Sequence, residues 1–199
     1  MDIDRPAAAA LSIIKGPPLD DEPGLGALTL PGFLREVTSR FAARECLVLH
    51  TPNGAERWTY AALWDRALEI GRALRACGVG KDSRVGILMS NRPEWIAAFF
   101  GVGLAGAVAV ALSTFSTGPE LEYLLQASAV SILLLERSVA KKDMAAMLCE
   151  LEPAIGSAAP GALLSDKFPF LRRLVAVGDP PEARAIERWE HFQIGRAHV

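Results

Sequence analysis

The chain has 199 residues, of which 51% are hydrophobic and 22% charged. That composition supplies a core and excludes a globally disordered chain. A formal net charge of −2, with Lys and Arg scattered among Asp and Glu, gives no electrostatic basis for nucleic acid or an anionic membrane as the main partner.

The first 27 residues hold Pro6, Gly16, Pro17, Pro18, Pro23, Gly24 and Gly26 and predict an extended arm before the compact part. The start, Met1-Asp2-Ile3-Asp4-Arg5-Pro6, is acidic and lacks the positive residues and long apolar run of a secretory signal. Phe33, Leu34, Val37 and Phe41 recur at helical spacing and predict a helix over 33–41. A short apolar strand at 46–50, the Asn53-Gly54 turn signal and a returning strand at 57–60 predict a hairpin. Thr59 then caps a helix over about 61–77. Its Leu63, Ala67, Ile70 and Leu74 form one buried face, and Gly78 ends it.

A strand is predicted at 85–89, followed by a helix starting at Arg92. Asn91 stands at its N-cap, Pro93 is early and Glu94 lies three residues after the cap, the pattern of a capping box. After Gly106 the run 107–112 is a short apolar strand. Gly118-Pro119-Glu120 opens another helix, with Thr117 or Gly118 as its cap and Leu121, Leu124 and Leu125 inward. A strand at 130–135, a helix at 144–151, a loop over 152–166 and a strand at 174–177 complete the list. Strands alternating with crossover helices predict an α/β domain, a mostly parallel doubly wound sheet with helices on both faces.

The candidate chemistry is sparse. Gly101-Val102-Gly103-Leu104-Ala105-Gly106 matches the dinucleotide fingerprint G-x-G-x-x-G. The fingerprint follows a strand and opens a helix, whereas here a helix precedes the glycines and a strand follows. The expectation is therefore a helix end with close packing, and a nucleotide-binding oxidoreductase using Gly101, Gly103 and Gly106 is the alternative. Ser113-Thr114-Phe115-Ser116-Thr117-Gly118 has the hydroxyls and glycine of a phosphate loop. It is followed by Pro119-Glu120 and not by a lysine, so it reads as a strand-to-helix turn. From Trp95 to Gly118 there is no charged residue, which makes a membrane-anchored interaction module a second alternative. Gly101, Gly103 and Gly106 interrupt that stretch, and a buried helix plus a buried strand gives the same run. His50 and His191 have no visible nucleophile or carboxylate pattern, and Arg137, Lys141 and Lys142 read as a solvated helix face. Trp58, Trp64 and Trp95 read as core. Cys46, Cys77 and Cys149 are odd in number and form no C-x-x-C pair, which fits a reducing cytoplasm and neither a disulfide framework nor a zinc site.

Three stretches together resemble the opening of the acyl-CoA synthetases of the adenylate-forming (AMP-binding) superfamily. Trp58-Thr59-Tyr60-Ala61-Ala62-Leu63-Trp64 resembles that family's aromatic-Thr-Tyr-x-x-Leu segment. Gly78-Val79-Gly80-Lys81-Asp82-Ser83-Arg84-Val85 resembles its Gly-Val-x-x-Gly-Asp-x-Val turn, with Asp82-Ser83 where Gly-Asp is usual. Asn91-Arg92-Pro93-Glu94-Trp95 followed by Gly106-Ala107-Val108-Ala109-Val110 resembles its Asn-x-x-Glu-Trp…Gly-Ala-Val segment, and Leu121-Glu122-Tyr123-Leu124-Leu125 adds the next helix. The likeness covers residues 28–179.

The resemblance implies a parent that activates a carboxylic acid with ATP and Mg to an acyl-adenylate and passes the acyl group to CoA, for fatty or other apolar acids. It also implies that the phosphate loop, the Mg-binding Glu, the ribose-binding Asp and the mobile-domain Lys lie beyond residue 193. No catalytic, cofactor-binding or metal residue is therefore assigned here. Residues 28–193 are expected to be the N-terminal portion of an AMP-binding domain, inactive alone and prone to self-association through unpaired sheet edges. Residues 194–199, Ile-Gly-Arg-Ala-His-Val, resemble the translation of a common sequencing adapter and read as a non-native tail, a native tail being the other reading.

Overall fold

The computed structural model describes residues 18, 29–52, 54–179 and 182–194. The expected N-terminal arm (except Pro18), Asn53 and the tail beyond Ile194 lie outside the described residues.

Helix α1 (Leu30–Phe41) starts three residues earlier than its apolar spacing predicts, because the Thr29 side chain accepts a hydrogen bond from Gly32 N at 3.1 Å and caps it. Strands β1 (Glu45–Thr51) and β2 (Gly54–Thr59) pair antiparallel as the expected hairpin. Helix α2 (Tyr60–Ala76) follows at once, with the Thr59 hydroxyl accepting from Ala62 N at 3.2 Å. Leu63, Ala67, Ile70 and Leu74 are buried on it as the spacing requires, and Gly78 follows its end at φ +81°.

The next elements build the main sheet: β3 (Arg84–Leu88), α3 (Pro93–Leu104), β4 (Val108–Ala111), α4 (Gly118–Ser128) and β5 (Ile132–Glu136). A small hairpin, β6 (Ser138–Val139) and β7 (Lys142–Asp143), precedes α5 (Met144–Leu151) and the single turn α6 (Ala154–Ser157). Then come β8 (Arg173–Val177), β9 (Ile186–Arg188) and α7 (Trp189–Ile194).

The five-stranded sheet has the order β4-β3-β5-β8-β9, and each neighbouring pair is parallel. Side chains alternate across it. Val85, Ile87, Ile132, Leu134, Val175 and Val177 join a first core with α2, α3 and the buried Trp189 and Phe192 of α7. Leu88, Leu133, Leu135, Leu174 and Ala176 join a second core with Leu121 and Leu125 of α4 and Met144, Ala145 and Leu148 of α5. Both faces are therefore covered by helices, and wholly apolar strands such as 132–135 are explained by burial on two sides. Chain order and the two cores give a doubly wound α/β sheet: α3 lies on one face and α4 on the other.

Trp58, Trp64 and Trp95 are half-buried at the margin of the first core, not inside it; Trp189 is the tryptophan that is 5% exposed within it.

Candidate functional site at the carboxyl ends of the sheet

In an open parallel sheet a ligand crevice forms where the chain leaves two neighbouring strands in opposite directions. Here that point lies between β3 and β5. The chain leaves β3 over the first face toward β4, and leaves β5 over the second face toward β8.

Polar side chains gather at this point. Glu136, the last residue of β5, accepts hydrogen bonds from Ser90 N at 2.9 Å and Ser90 Oγ at 2.7 Å, just past β3. Its other oxygen meets Arg92 Nη1 at 3.2 Å. Arg92 also grips Glu94 with two bonds, Nε to Oε2 at 2.8 Å and Nη2 to Oε1 at 3.0 Å. The three charged side chains keep only 17–20% of their surface exposed. Burial alone would raise the Glu94 pKa, but the hydrogen bonds and charge of Arg92 outweigh it and hold the carboxyl below its ordinary value. Burial likewise works against the Arg92 cation, and Glu94 and Glu136 outweigh it, raising its pKa.

This geometry corrects the expected capping box. The N-cap of α3 is Arg92, not Asn91, and no side chain caps it. Glu94, expected to reach back to the cap, is held by the Arg92 guanidinium instead.

Chemically the cluster is a clamp. Both carboxylates are ion-paired, and the Ser90 hydroxyl already donates to Glu136. An apolar cleft of about 230 Å³ opens beside it, lined by Leu47, Leu49, Pro93, Trp95 and Ile96 with Arg92 at its edge. Sequence reasoning missed the Ser90–Glu136 contact because the partners are 46 residues apart. The available signal was a single acidic residue closing an otherwise apolar strand, Ile-Leu-Leu-Leu-Glu.

The glycine fingerprint is not a nucleotide site. Gly101 and Gly103 lie inside α3, and Gly106 follows it at φ +77°, ahead of β4. A Cβ on Gly101 would stand 2.7 Å from Ile70 Cγ2, so this glycine lets α2 and α3 touch. The dinucleotide alternative fails on this order of elements. The membrane alternative fails too: residues 95–118 divide into helix, strand and turn, and no helix among the described residues is long and apolar enough to cross a membrane.

The phosphate-loop look-alike is a turn whose Phe115, Ser116 and Thr117 N–H groups are already bonded within it. Ser113 Oγ accepts from Phe115 N at 3.2 Å, and Glu120 accepts from Thr117 N at 2.8 Å and Thr117 Oγ1 at 2.9 Å. Thr117 is the cap of α4, and a carboxylate already sits where phosphate would. These residues do not fit a nucleotide phosphate. Nor do the described residues offer a group of three or more His, Cys, Asp or Glu side chains that could hold a metal ion.

His50 and His191 are exposed at the end of β1 and on α7. Arg137, Lys141 and Lys142 do not form a solvated helix face: they belong to the β5 end and the β6–β7 hairpin. Arg137 pairs with Asp143 at 3.1 Å.

A family model described as "AMP-binding enzyme" matches residues 34–169. Among curated proteins, "Putative acyl-CoA synthetase YngI" of Bacillus subtilis is 30% identical over 83% of this chain and 30% of its own length. "Acyl-CoA ligase sidI" of Aspergillus fumigatus is 33% identical over 74% of this chain and 24% of its own. The chain thus spans less than a third of the length of these relatives. Among solved structures, the anthranilate CoA ligase AuaEII in complex with anthranoyl-AMP superposes on 84% of this chain and 28% of its own, with TM-score 0.68 and 21% identity. That likeness speaks for the fold.

Proposed function

The chain belongs to the AMP-binding enzyme family, and on that premise we propose that it is the N-terminal portion of an ATP-dependent acyl-CoA ligase. The parent joins a carboxylic acid to AMP with release of pyrophosphate, and then transfers the acyl group to CoA. The acid is fatty or otherwise apolar. The single observation that carries this reading is the family match over residues 34–169; the likeness to the acyl-CoA synthetase YngI and the acyl-CoA ligase sidI supports it.

ATP, Mg and CoA belong to that parent reaction. The residues in hand contribute the sheet and the Arg92–Glu94–Glu136 clamp, which hold the carboxyl ends of β3 and β5 in register. Adenylation needs cations and donors placed at the developing phosphate charge, and in this reading those groups lie in the rest of the parent. We further propose that residues 28–193 form one segment of the AMP-binding domain, that 1–27 are a preceding arm, that 194–199 are not native, and that the parent is cytoplasmic.

The test is direct. The protein encoded by the continuous reading frame is incubated with ATP, Mg and a panel of acids, and pyrophosphate and CoA thioester are measured. The expected result is acid-dependent pyrophosphate release, strongest with apolar acids, and thioester only when CoA is added. Residues 1–193 expressed alone are expected to give none. Release by the short chain would refute its inactivity, and absence of release by the full frame would refute the ligase reading.

A further inference from the structure

The turn after β4 carries an arrangement that neither the ligase reading nor the sheet requires. Lys142, on β7, places its Nζ 3.3 Å from Thr114 O, 2.9 Å from Phe115 O and 3.1 Å from Ser116 O. Three successive carbonyls of one turn thus converge on a single ammonium, whose three protons match them in number. The Glu120 carboxylate, which holds the Thr117 N–H, is near enough to feel the Lys142 charge. Convergent backbone carbonyls are how proteins replace the water shell of a monovalent cation. The turn also carries Phe115, which is 88% exposed although its carbonyl and N–H are both bonded.

We propose that residues 114–116 form a monovalent-cation cradle, and that the tethered ammonium of Lys142 is its resident ion. The charge, and not the rest of the hairpin, sets the shape of the turn that presents Phe115. The β6–β7 hairpin, with Ser138 and Val139 opposite Asp143 and Lys142, is the arm that delivers the ion. Asp143 anchors that arm: it caps α5 by accepting from Ala146 N at 2.9 Å and pairs with Arg137 at 3.1 Å. Lysine suits this role and arginine does not, because a planar guanidinium cannot aim its donors at three oxygens around one point.

The test uses the whole 199-residue chain. In Lys142→Ala the carbonyls lose their cation, and chymotryptic cleavage after Phe115 is expected to accelerate about tenfold, the factor set by losing charge-assisted hydrogen bonds at a partly exposed site. Ammonium, methylammonium or potassium chloride is expected to reverse most of that gain. Tetramethylammonium chloride at equal ionic strength, too large and without donors, is expected to leave it. Lys142→Arg should cleave at nearly the alanine rate. Wild-type-like cleavage of Lys142→Ala, or equal effects of all four salts, would overturn the proposal. A second readout needs no variant. In the wild-type chain, acylation of Lys142 by an N-hydroxysuccinimide ester is expected to be about tenfold slower than that of the exposed neighbour Lys141, because its donors are engaged. Equal labelling of the two lysines would overturn the proposal independently.

Discussion

Changing Gly101 to alanine should destabilise the protein even though alanine is the better helix former. Gly101 lies inside α3 against Ile70 of α2. A Cβ there would stand 2.7 Å from Ile70 Cγ2, 2.8 Å from Ile70 Cβ and 3.0 Å from the Ala67 carbonyl oxygen. Two of those neighbours are a β-branched carbon and a backbone atom, neither of which can swing aside. The reciprocal position is just as close, since a Cβ on Gly71 would meet Gly101 O and Leu104 Cβ at 3.2 Å. Replacing a mid-helix glycine gains about 1 kcal/mol of propensity. Overpacking a core costs about 1–3 kcal/mol, and contacts this short put Gly101 at the upper end. The net loss is about 1–2 kcal/mol, which lowers a urea midpoint by about 0.5–1 M. Gly103→Ala is the internal control: its Cβ would meet only Pro31, at 3.4 Å and 3.5 Å, so propensity should win and the midpoint should rise. A stable Gly101→Ala, or a Gly103→Ala that loses as much, would refute the close helix crossing.

Four further outcomes follow from the clamp. Glu136→Ala leaves Ser90 N without its acceptor and one side of Arg92 unpaired, and should cost about 2 kcal/mol by urea unfolding. Ser90→Ala, which keeps the backbone bond, should cost about 1 kcal/mol. Arg92→Met strands two largely buried carboxylates and should cost about 3 kcal/mol at neutral pH. The pH profile gives the sign: the folded Glu94 carboxyl is held below its unfolded value of about 4.3, so its contribution is present above that pH and lost as pH falls through the folded value. Wild type should therefore lose more stability on acidification through pH 4 than Arg92→Met does, and parallel profiles would contradict the pairing.

The parts of the fold legible in the sequence are those where one local signal is strong. The apolar runs at 85–89, 107–112 and 130–135 became the parallel strands β3, β4 and β5; β3 and β5 are covered on both faces and carry no polar alternation, whereas β4, expected as a buried strand, is the sheet edge, with Val108 51% exposed. Helix α5 appeared at its predicted bounds, with Asp143 as a cap that propensity alone did not reveal. The short elements stayed hidden. Strand β9 reads Ile-Glu-Arg, with one buried residue, and exists because β8 offers it an edge and Arg173 pairs with Glu187. Hairpin β6–β7 is two residues a side, and α6 is a single turn, each too short for a period to show. Asn91 looked the better cap than Arg92 because capping preference is local, whereas the Arg92 side chain answers to Glu136 on a distant strand. The crevice was illegible for the same reason: its residues meet only after the sheet has formed.

The proposal that this chain is part of a longer acyl-CoA ligase is best tested by reading the genomic frame beyond the codon for Gln193. The frame is expected to continue for several hundred residues and soon to reach a Ser/Thr-rich stretch ending in Gly-x-Pro-Lys-Gly. A stop codon there, or a continuation without that loop, would contradict it.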